Sequence, residues 1–190
     1  MDMQLEGPSQ FPSLTTGRLV LRMLELSDAA EIMKLRSDER VNKYLDRPKT
    51  TTINEAVEFI NKINNGIKNE ESYYWVICLR KDHKLAGTIC LWNIDKENAR
   101  IEVGYELLPS SQGKGLAHEA LSTIINYGFN TLKFRTMVAY PHSGNERSIK
   151  LLEKNNFKRD AALEDEFYKT EPTAKEVIYS LKSPLGTMPK

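Results

Sequence analysis

The stretch Ile101-Glu102-Val103-Gly104-Tyr105-Glu106-Leu107 alternates strictly, and Pro109 stops it. A period of two over such a run predicts a β-strand with one face on a core. The period then changes. Leu116, Ala120, Leu121, Ile124 and Ile125 recur at three and four residues, which predicts a helix opening from about Gly113. A loop of two serines joins the strand to this helix. It brings the helix's first turn, with unpaired N–H groups and the positive end of the dipole, to the end of the strand, a place suited to an anion. Gly113 and Gly115 let backbone approach a ligand closely there, and Lys114 adds a cation. The turn is not a P-loop, because Leu116 follows Gly115 where a Lys-Ser/Thr pair would be needed. It is not a dinucleotide fingerprint either, since His118 stands where a third small residue belongs. By spacing alone, Gly113 and Gly115 could also be no more than a tight structural turn.

Around this unit the chain reads as one domain, with 190 residues and no repeat or linker. A first strand is expected at 18–24, and Ser27-Asp28 offers a cap to a helix carrying Ala29, Ile32 and Met33. Ile53, Ala56, Val57, Ile60, Ile63 and Ile67 predict an amphipathic helix that Thr52 or Thr51 can cap. Residues 73–79 and 85–92 predict a β-hairpin. Further on, 134–140 reads as a strand, Ser143-Gly144-Asn145 caps a short helix, and Asn155-Asn156 ends it. The segments 157–168 and 177–181 are expected as the last two strands. Three consecutive strands in the middle exclude a doubly wound nucleotide fold.

Charge and composition remove several function classes. Lys+Arg 27 against Asp+Glu 26 leaves a formal +1, which argues against a broad nucleic-acid surface or an anionic membrane surface. No apolar run approaches the roughly 20 residues that cross a bilayer. Residues 1–13 hold no Lys, Arg or apolar core of a secretory signal, so a cytoplasmic protein is expected. Cys78 and Cys90 form no metal or redox spacing and read as reduced, buried strand residues.

Gln112-x-x-Gly115-x-Ala117, after a strand and opening a helix, resembles the coenzyme A signature of the GNAT N-acetyltransferases. The resemblance extends in order through Thr16-Gly17-Arg18-Leu19, Leu85-Ala86-Gly87-Thr88, Glu119-Ala120-Leu121, Asn145-x-x-Ser148 and Lys154-Asn155-Asn156-Phe157. The ordered set is most similar to the RimJ/RimL-like branch, named for ribosomal-protein N-terminal acetyltransferases. It implies an α/β (α+β) single-domain GNAT fold over 14–182, with 1–13 and 183–190 as loose termini. The mixed central sheet would have about seven strands flanked by helices, splayed at the fourth and fifth strands. The implied co-substrate is acetyl-coenzyme A, with no metal. Its pantetheine arm would pair near Leu107, Leu108 and Pro109, and its pyrophosphate would lie on the amides of Gln112, Gly113, Lys114, Gly115, Leu116 and Ala117. Asn145 matches an asparagine that contacts the coenzyme. Ser148 falls where the branch places a serine near the coenzyme sulfur. A homodimer through the late strands is implied by family analogy only.

Acetyl transfer to a primary amine needs a neutral nucleophile and a route for its proton. Glu102, near the expected splay, is the first candidate base, against the reading that it lies on a solvated strand face. Glu106 shares that face, and Glu164 and Glu166 are further carboxylates on an expected late strand. Ser148 is a candidate donor to the departing thiolate, with an exposed helix serine as the alternative. Many GNAT enzymes carry a tyrosine acid four residues beyond Ser148; here Leu152 stands there. That departure keeps open an acyl-coenzyme A binding module without turnover, and another thioester such as succinyl-coenzyme A is a second alternative. Asn156 replaces the glycine usual before Phe157, which a left-handed asparagine tolerates. A backbone N–H near Gly104 or Tyr105, at a strand bulge, is expected to face the thioester carbonyl. His118 reads as surface, His142 as loop, and Trp75, Trp92, Tyr73 and Tyr74 as core or hairpin.

Overall fold

The structure is a computed structural model that describes residues 11–184. Residues 1–10 and 185–190, most of the expected loose termini, lie outside the described residues. Strands β1 (Leu14–Thr15) and β2 (Leu19–Met23) precede three helices, α1 (Ala29–Ser37), α2 (Glu39–Asn42) and α3 (Ile53–Lys68). An antiparallel meander follows, of β3 (Tyr73–Leu79), β4 (Leu85–Asp95) and β5 (Arg100–Leu107). The chain then alternates through α4 (Leu116–Asn130), β6 (Thr136–Ala139), α5 (Glu146–Lys154), β7 (Lys158–Arg159), α6 (Ala161–Thr170) and β8 (Tyr179–Lys182). One 8-stranded sheet results, in the order β1-β2-β3-β4-β5-β6-β8-β7.

Both faces of the sheet are covered, which is why its central strands are almost continuously apolar. Along β3, Tyr74, Val76 and Cys78 enter one core with Leu24, Ile32 and Ile60 beneath α1 and α3. The alternate residues Trp75 and Ile77 enter the other with Leu121 and Ile124 of α4. Of the stripe that predicted α3, Ala56, Val57, Ile60, Ile63 and Ile67 pack into the first of these cores while Ile53 is exposed, and Thr52 caps the helix by accepting from Glu55 N. Glu55 in turn accepts from Thr52 N at 3.0 Å, a reciprocal capping box. Asn145 caps α5 by accepting from Ser148 N, and Asn156 takes the left-handed conformation with φ 65°.

Several expectations are corrected. The segment 157–168 is no strand: β7 is two residues long and α6 follows it. Asp160 accepts from Leu163 N and starts that helix, whose Ala-Ala-Leu-Glu opening favours helical backbone. Helix α4 begins at Leu116 rather than Gly113, because Gly113 and Gly115 both hold φ 74°. Asp28 makes no side-chain cap; its carboxylate accepts from Glu25 N and from the Arg22 guanidinium. Phe11 and Pro12 are pinned rather than loose, with the Phe11 ring 5.2 Å from that of Trp75 and Trp75 Nε1 donating to Pro12 O at 2.8 Å.

The feature that positions the site is the junction of β5 and β6, the parallel pair in the sheet. Pairing covers only Arg100, Ile101 and Glu102 against Thr136, Met137 and Val138. β6 then ends at Ala139 while β5 runs on to Leu107, so the two part in a V. From Val103 onward, β5 has no strand partner on that side.

Candidate active site

A cleft of about 730 Å³ passes through this V. Glu102, Gly104 and Glu106 of β5 line it from the face toward α1 and α3, and Tyr105 lines it from the opposite face. Only the splay makes both faces of one strand reachable from a single cavity, since alternate side chains point to opposite sides. Ser148 and Asn145 line it from the start of α5. Two residues chosen from sequence as the catalytic pair, Glu102 and Ser148, therefore meet in one cavity.

Glu102 is partly buried, and this desolvation pushes its carboxyl up to about 7, while a hydrogen bond from Asn93 acts in the opposite direction. Asn93 Nδ2 lies 3.2 Å from Glu102 Oε2. The geometry that brings it there is a strand irregularity at a place not expected. Register between β4 and β5 is regular from Gly87–Leu107 to Trp92–Glu102 and breaks between Trp92 and Asp95. Asn93 sits in that break with φ 50°. The bulge thus lies at β4 beside Glu102, not at Gly104 or Tyr105.

Ser148 Oγ is 2.8 Å from the phenol of Tyr105. Burial pushes that phenol up to about 12, with the Ser148 bond opposing, so it stays protonated at working pH. A phenol donating to Ser148 Oγ leaves the serine O–H free to donate into the cleft. Leu152 is fully buried in the core, so its position presents nothing to the cavity. Sequence reading missed Tyr105 as a functional group, because its alternation with Ile101 and Val103 marks it as core.

The other carboxylates separate by their partners. Glu106 lines the cleft but accepts from Arg47 Nη2 at 2.6 Å, which removes it as a free base. Glu164 is on α6, not a strand, where it accepts from Arg159 Nε and Ile178 N, both at 2.9 Å, away from the cleft. Glu166 lies outside the cleft lining, although its charge reaches Tyr140 on the wall. Cys90 lines the cleft as well. Its thiol is pushed up to about 12, first by burial and then by the charges of Glu106 and Glu102, which keeps it from acting as a nucleophile. Trp92 and His142 also line the cleft; the His142 ring packs 5.2 Å from Tyr44 and its Nδ1 accepts from Gly144 N. His118 is only partly exposed and borders a separate cleft of about 460 Å³ on the far side of α4. Among the described residues no His, Cys, Asp and Glu cluster has the makings of a metal site.

The glycine turn lies at the end of β5, outside the cleft lining. Gly113 and Gly115 both hold left-handed backbone, and α4 opens directly after them at Leu116, where the first-turn N–H groups have no helical partner. Arg18 and Glu119 brace it. Glu119 accepts from Arg18 Nε at 2.6 Å and from Arg18 N at 2.9 Å, while Arg18 Nη1 donates to Lys114 O at 2.8 Å. Burial opposes the charge on Glu119, but the bonds from Thr16 and Arg18 hold its carboxyl below the usual range. Lys114 Nζ folds back to Ser110 O at 2.6 Å. Gln112 spans the gap between the turn and α5, giving Nε2 to Leu107 O at 3.0 Å and accepting from Arg147 Nη1 at 3.1 Å. Arg147 is the cation that sequence reading passed over, within the very Asn145-x-x-Ser148 pattern it used. At Leu107–Leu108 the side chains are buried, Leu108 N is bonded to Ala86 O, and both carbonyls already accept, Leu107 O from Gln112 Nε2 and Leu108 O from Ser111 N.

Residues 18–158 match the family described as acetyltransferase (GNAT) domain, and the chain belongs to that family. It is 35% identical over 153 residues to the uncharacterized N-acetyltransferase p20 of Bacillus licheniformis, covering 80% of this chain and 86% of that protein. Its fold matches ribosomal-protein-S5-alanine acetyltransferase from Vibrio fischeri with a TM-score of 0.75 at 20% identity, over 93% of this chain and 99% of the other. Spermidine N-acetyltransferase from Vibrio cholerae, solved with CoA and spermine, matches with a TM-score of 0.69 at 19% identity, over 87% and 94%. Ribosomal-protein acetyltransferases are thus among the structural neighbours, as the RimJ/RimL-like resemblance implied.

Proposed function

We propose that the protein moves an acetyl group from acetyl-coenzyme A to a primary amine by direct attack with both substrates bound. The observation that carries this reading is the meeting, in one cavity at the splay, of a raised carboxyl (Glu102) and a hydroxyl fixed by a protonated phenol (Ser148 and Tyr105). Membership of the GNAT family supports the reaction class, and a structural neighbour holding CoA and spermine supports the pairing of a coenzyme with an amine.

The residues present fit a coenzyme diphosphate: the left-handed glycine turn leads into the unpaired N–H groups that open α4, and Arg147 donates to Gln112 of the same turn. When bound, acetyl-coenzyme A supplies an activated acyl group on a thiol that leaves readily. Everything else falls to the chain. The turn from Gln112 to Ala117 and Asn145 hold and orient the coenzyme along the open edge of β5. Glu102, on the α1 and α3 side, takes the proton from the incoming ammonium or amine, at a pKa close to the pH of its surroundings. Ser148, on the α5 side, donates its O–H toward the leaving sulfur, with Tyr105 holding its orientation. Bringing the two substrates together in the V supplies much of the acceleration by position alone.

The test is thiol release from acetyl-coenzyme A over a panel of N-terminal peptides and small amines, with succinyl-coenzyme A as competitor. Amine-dependent release that Glu102→Gln lowers about a hundredfold or more is expected. A rise in melting temperature with acetyl-coenzyme A but no amine-dependent release would identify a binding module without turnover. Preference for succinyl-coenzyme A would move the acyl donor.

A further inference from the structure

The floor of the cleft holds two guanidinium groups and one carboxylate. Arg47 and Glu106 form an ion pair at 2.6 Å, their side chains only 20% and 10% exposed. Arg36, from α1, lines the same cleft. Its Nε donates to Thr50 Oγ1 at 3.0 Å, and its guanidinium carbon sits 3.8 Å from the centre of the Phe59 ring. Among the described residues no carboxylate pairs with Arg36. Burial and then the neighbouring charge of Arg47 both disfavour its charged form, while Glu106, already engaged by Arg47, opposes them. A guanidinium stays protonated in proteins and carries five N–H donors in a fixed fork. Here a partly buried guanidinium lines the cavity, its Nε engaged by Thr50 and its carbon held over the Phe59 ring.

We propose that the amine acceptor carries an anionic group, a carboxylate or a phosphate, and that Arg36 binds it. The inference rests on the reading that Glu102 receives the amine. Paired or stacked guanidinium groups favour planar, bidentate anions, and the partial burial strengthens that bond. The strand sets the spacing. Glu102 and Glu106 are four residues apart on one face of β5, which at about 3.3 Å per residue is roughly 13 Å between Cα atoms. Arg36 shares the Glu106 end of the cleft, where the Glu106 charge acts on it, and on that link the amine and the anion of the acceptor are placed on the order of 10 Å apart, too far for a free α-amino acid. Between the poles the floor is formed by the cross-strand pair Cys90–Gly104, which offers a thiol and no side chain at all, so the linking part of the acceptor is uncharged. Asp46, Glu71 and Lys62 also border the cleft, but they stand at its exposed rim, where solvent and salt screen them.

Isothermal titration of the full chain, with coenzyme A present, tests this with four probes: 6-aminohexyl phosphate, 8-aminooctanoate, 6-aminohexanol and spermidine. At least one of the two anionic amines is expected to bind about tenfold to a hundredfold tighter than 6-aminohexanol, the range for a charge-assisted hydrogen-bond pair. Arg36→Gln should bring that ratio to about one, and Arg36→Lys should keep part of it and serves if the glutamine variant does not fold. The phosphate or the carboxylate binding alone tells which source of anion the site takes. Equal binding of anionic and neutral probes, tighter binding of spermidine, no binding of either anionic probe, or an undiminished ratio in folded Arg36 variants would overturn the proposal. The Glu102→Gln variant keeps the two readings apart. An intact anion preference there, with no acetylation of any probe by the parent protein, would retain the anion site and reject the acetyl-transfer reading.

Discussion

On the proposed reaction, the burial of Glu102 would tie catalysis to pH. Its carboxyl sits at about 7 against an ordinary 4.5, so the fraction able to accept a proton rises through neutrality. In profiles of kcat/KM against pH, activity should climb through about 7 in the parent protein. The Glu102→Gln variant should lose that limb along with most of the rate. Stability should run the other way. The folded state binds this proton more tightly than the unfolded chain, so stability from this group is complete below 4.5 and falls as pH rises to about 7. The loss is at most about 3 kcal/mol, and screening at the partly open cleft makes it smaller. Urea titrations at pH 5 and pH 8 should show Glu102→Gln gaining relative to the parent at the higher pH. A flat difference between the two would show that the carboxyl titrates normally. Ser148→Ala should lower kcat by about tenfold to a hundredfold, the worth of one hydrogen bond to a charged group, and leave KM for acetyl-coenzyme A nearly unchanged. An equal loss in kcat and coenzyme binding would instead make Ser148 a binding residue.

At the scale of elements, glycines differ in what they are for. A Cβ at Gly87 would meet Glu106 O at 2.1 Å and Leu107 Cα at 2.8 Å, so β4 and β5 cannot approach as they do with any side chain there. A Cβ at Gly128 would meet the flexible end of Met137 at 2.7 Å and Leu91 Cδ1 at an ordinary 3.8 Å. Gly87→Ala should therefore destabilise by about 3 kcal/mol or more, and Gly128→Ala by clearly less, in urea unfolding. Gly113 has open space around it but holds φ 74°, so Gly113→Ala should cost about 1 kcal/mol through backbone strain. The same change should weaken acetyl-coenzyme A binding, seen as a smaller thermal shift. If Gly113→Ala leaves that shift intact, the turn is structural only. The elements legible in sequence were those with a clear period and a cap: α3 with Thr52, α5 with Asn145, and the strand before Pro109. Helix α6 was missed because the extended residues before it run into it with no Gly or Pro between, leaving Asp160 as the single boundary signal.

At the scale of the whole molecule, the Arg47–Glu106 pair fastens the segment between α2 and α3 onto β5 and closes one end of the cleft. Removing one partner leaves the other charge buried, so Arg47→Met should destabilise by about 3 kcal/mol, while the double change Arg47→Met with Glu106→Leu should cost less. A double variant no more stable than the single one would show that packing, not charge, carries the contact. What the amino-acid sequence determined by itself was local: periods, caps and the glycine turn, because those signals lie within a few neighbouring residues, while Glu102 and Ser148 became candidates through a family resemblance spread in order along the chain. Which face each candidate reaches was decided by the tertiary structure. β6 stops pairing after Glu102, and that opening brings Tyr105 from the far face of β5 into the same cavity as Glu102. Arg36 and Arg47 arrive there from segments more than fifty residues away in the chain. Such contacts depend on how helices dock on a sheet, and no spacing along the chain encodes them.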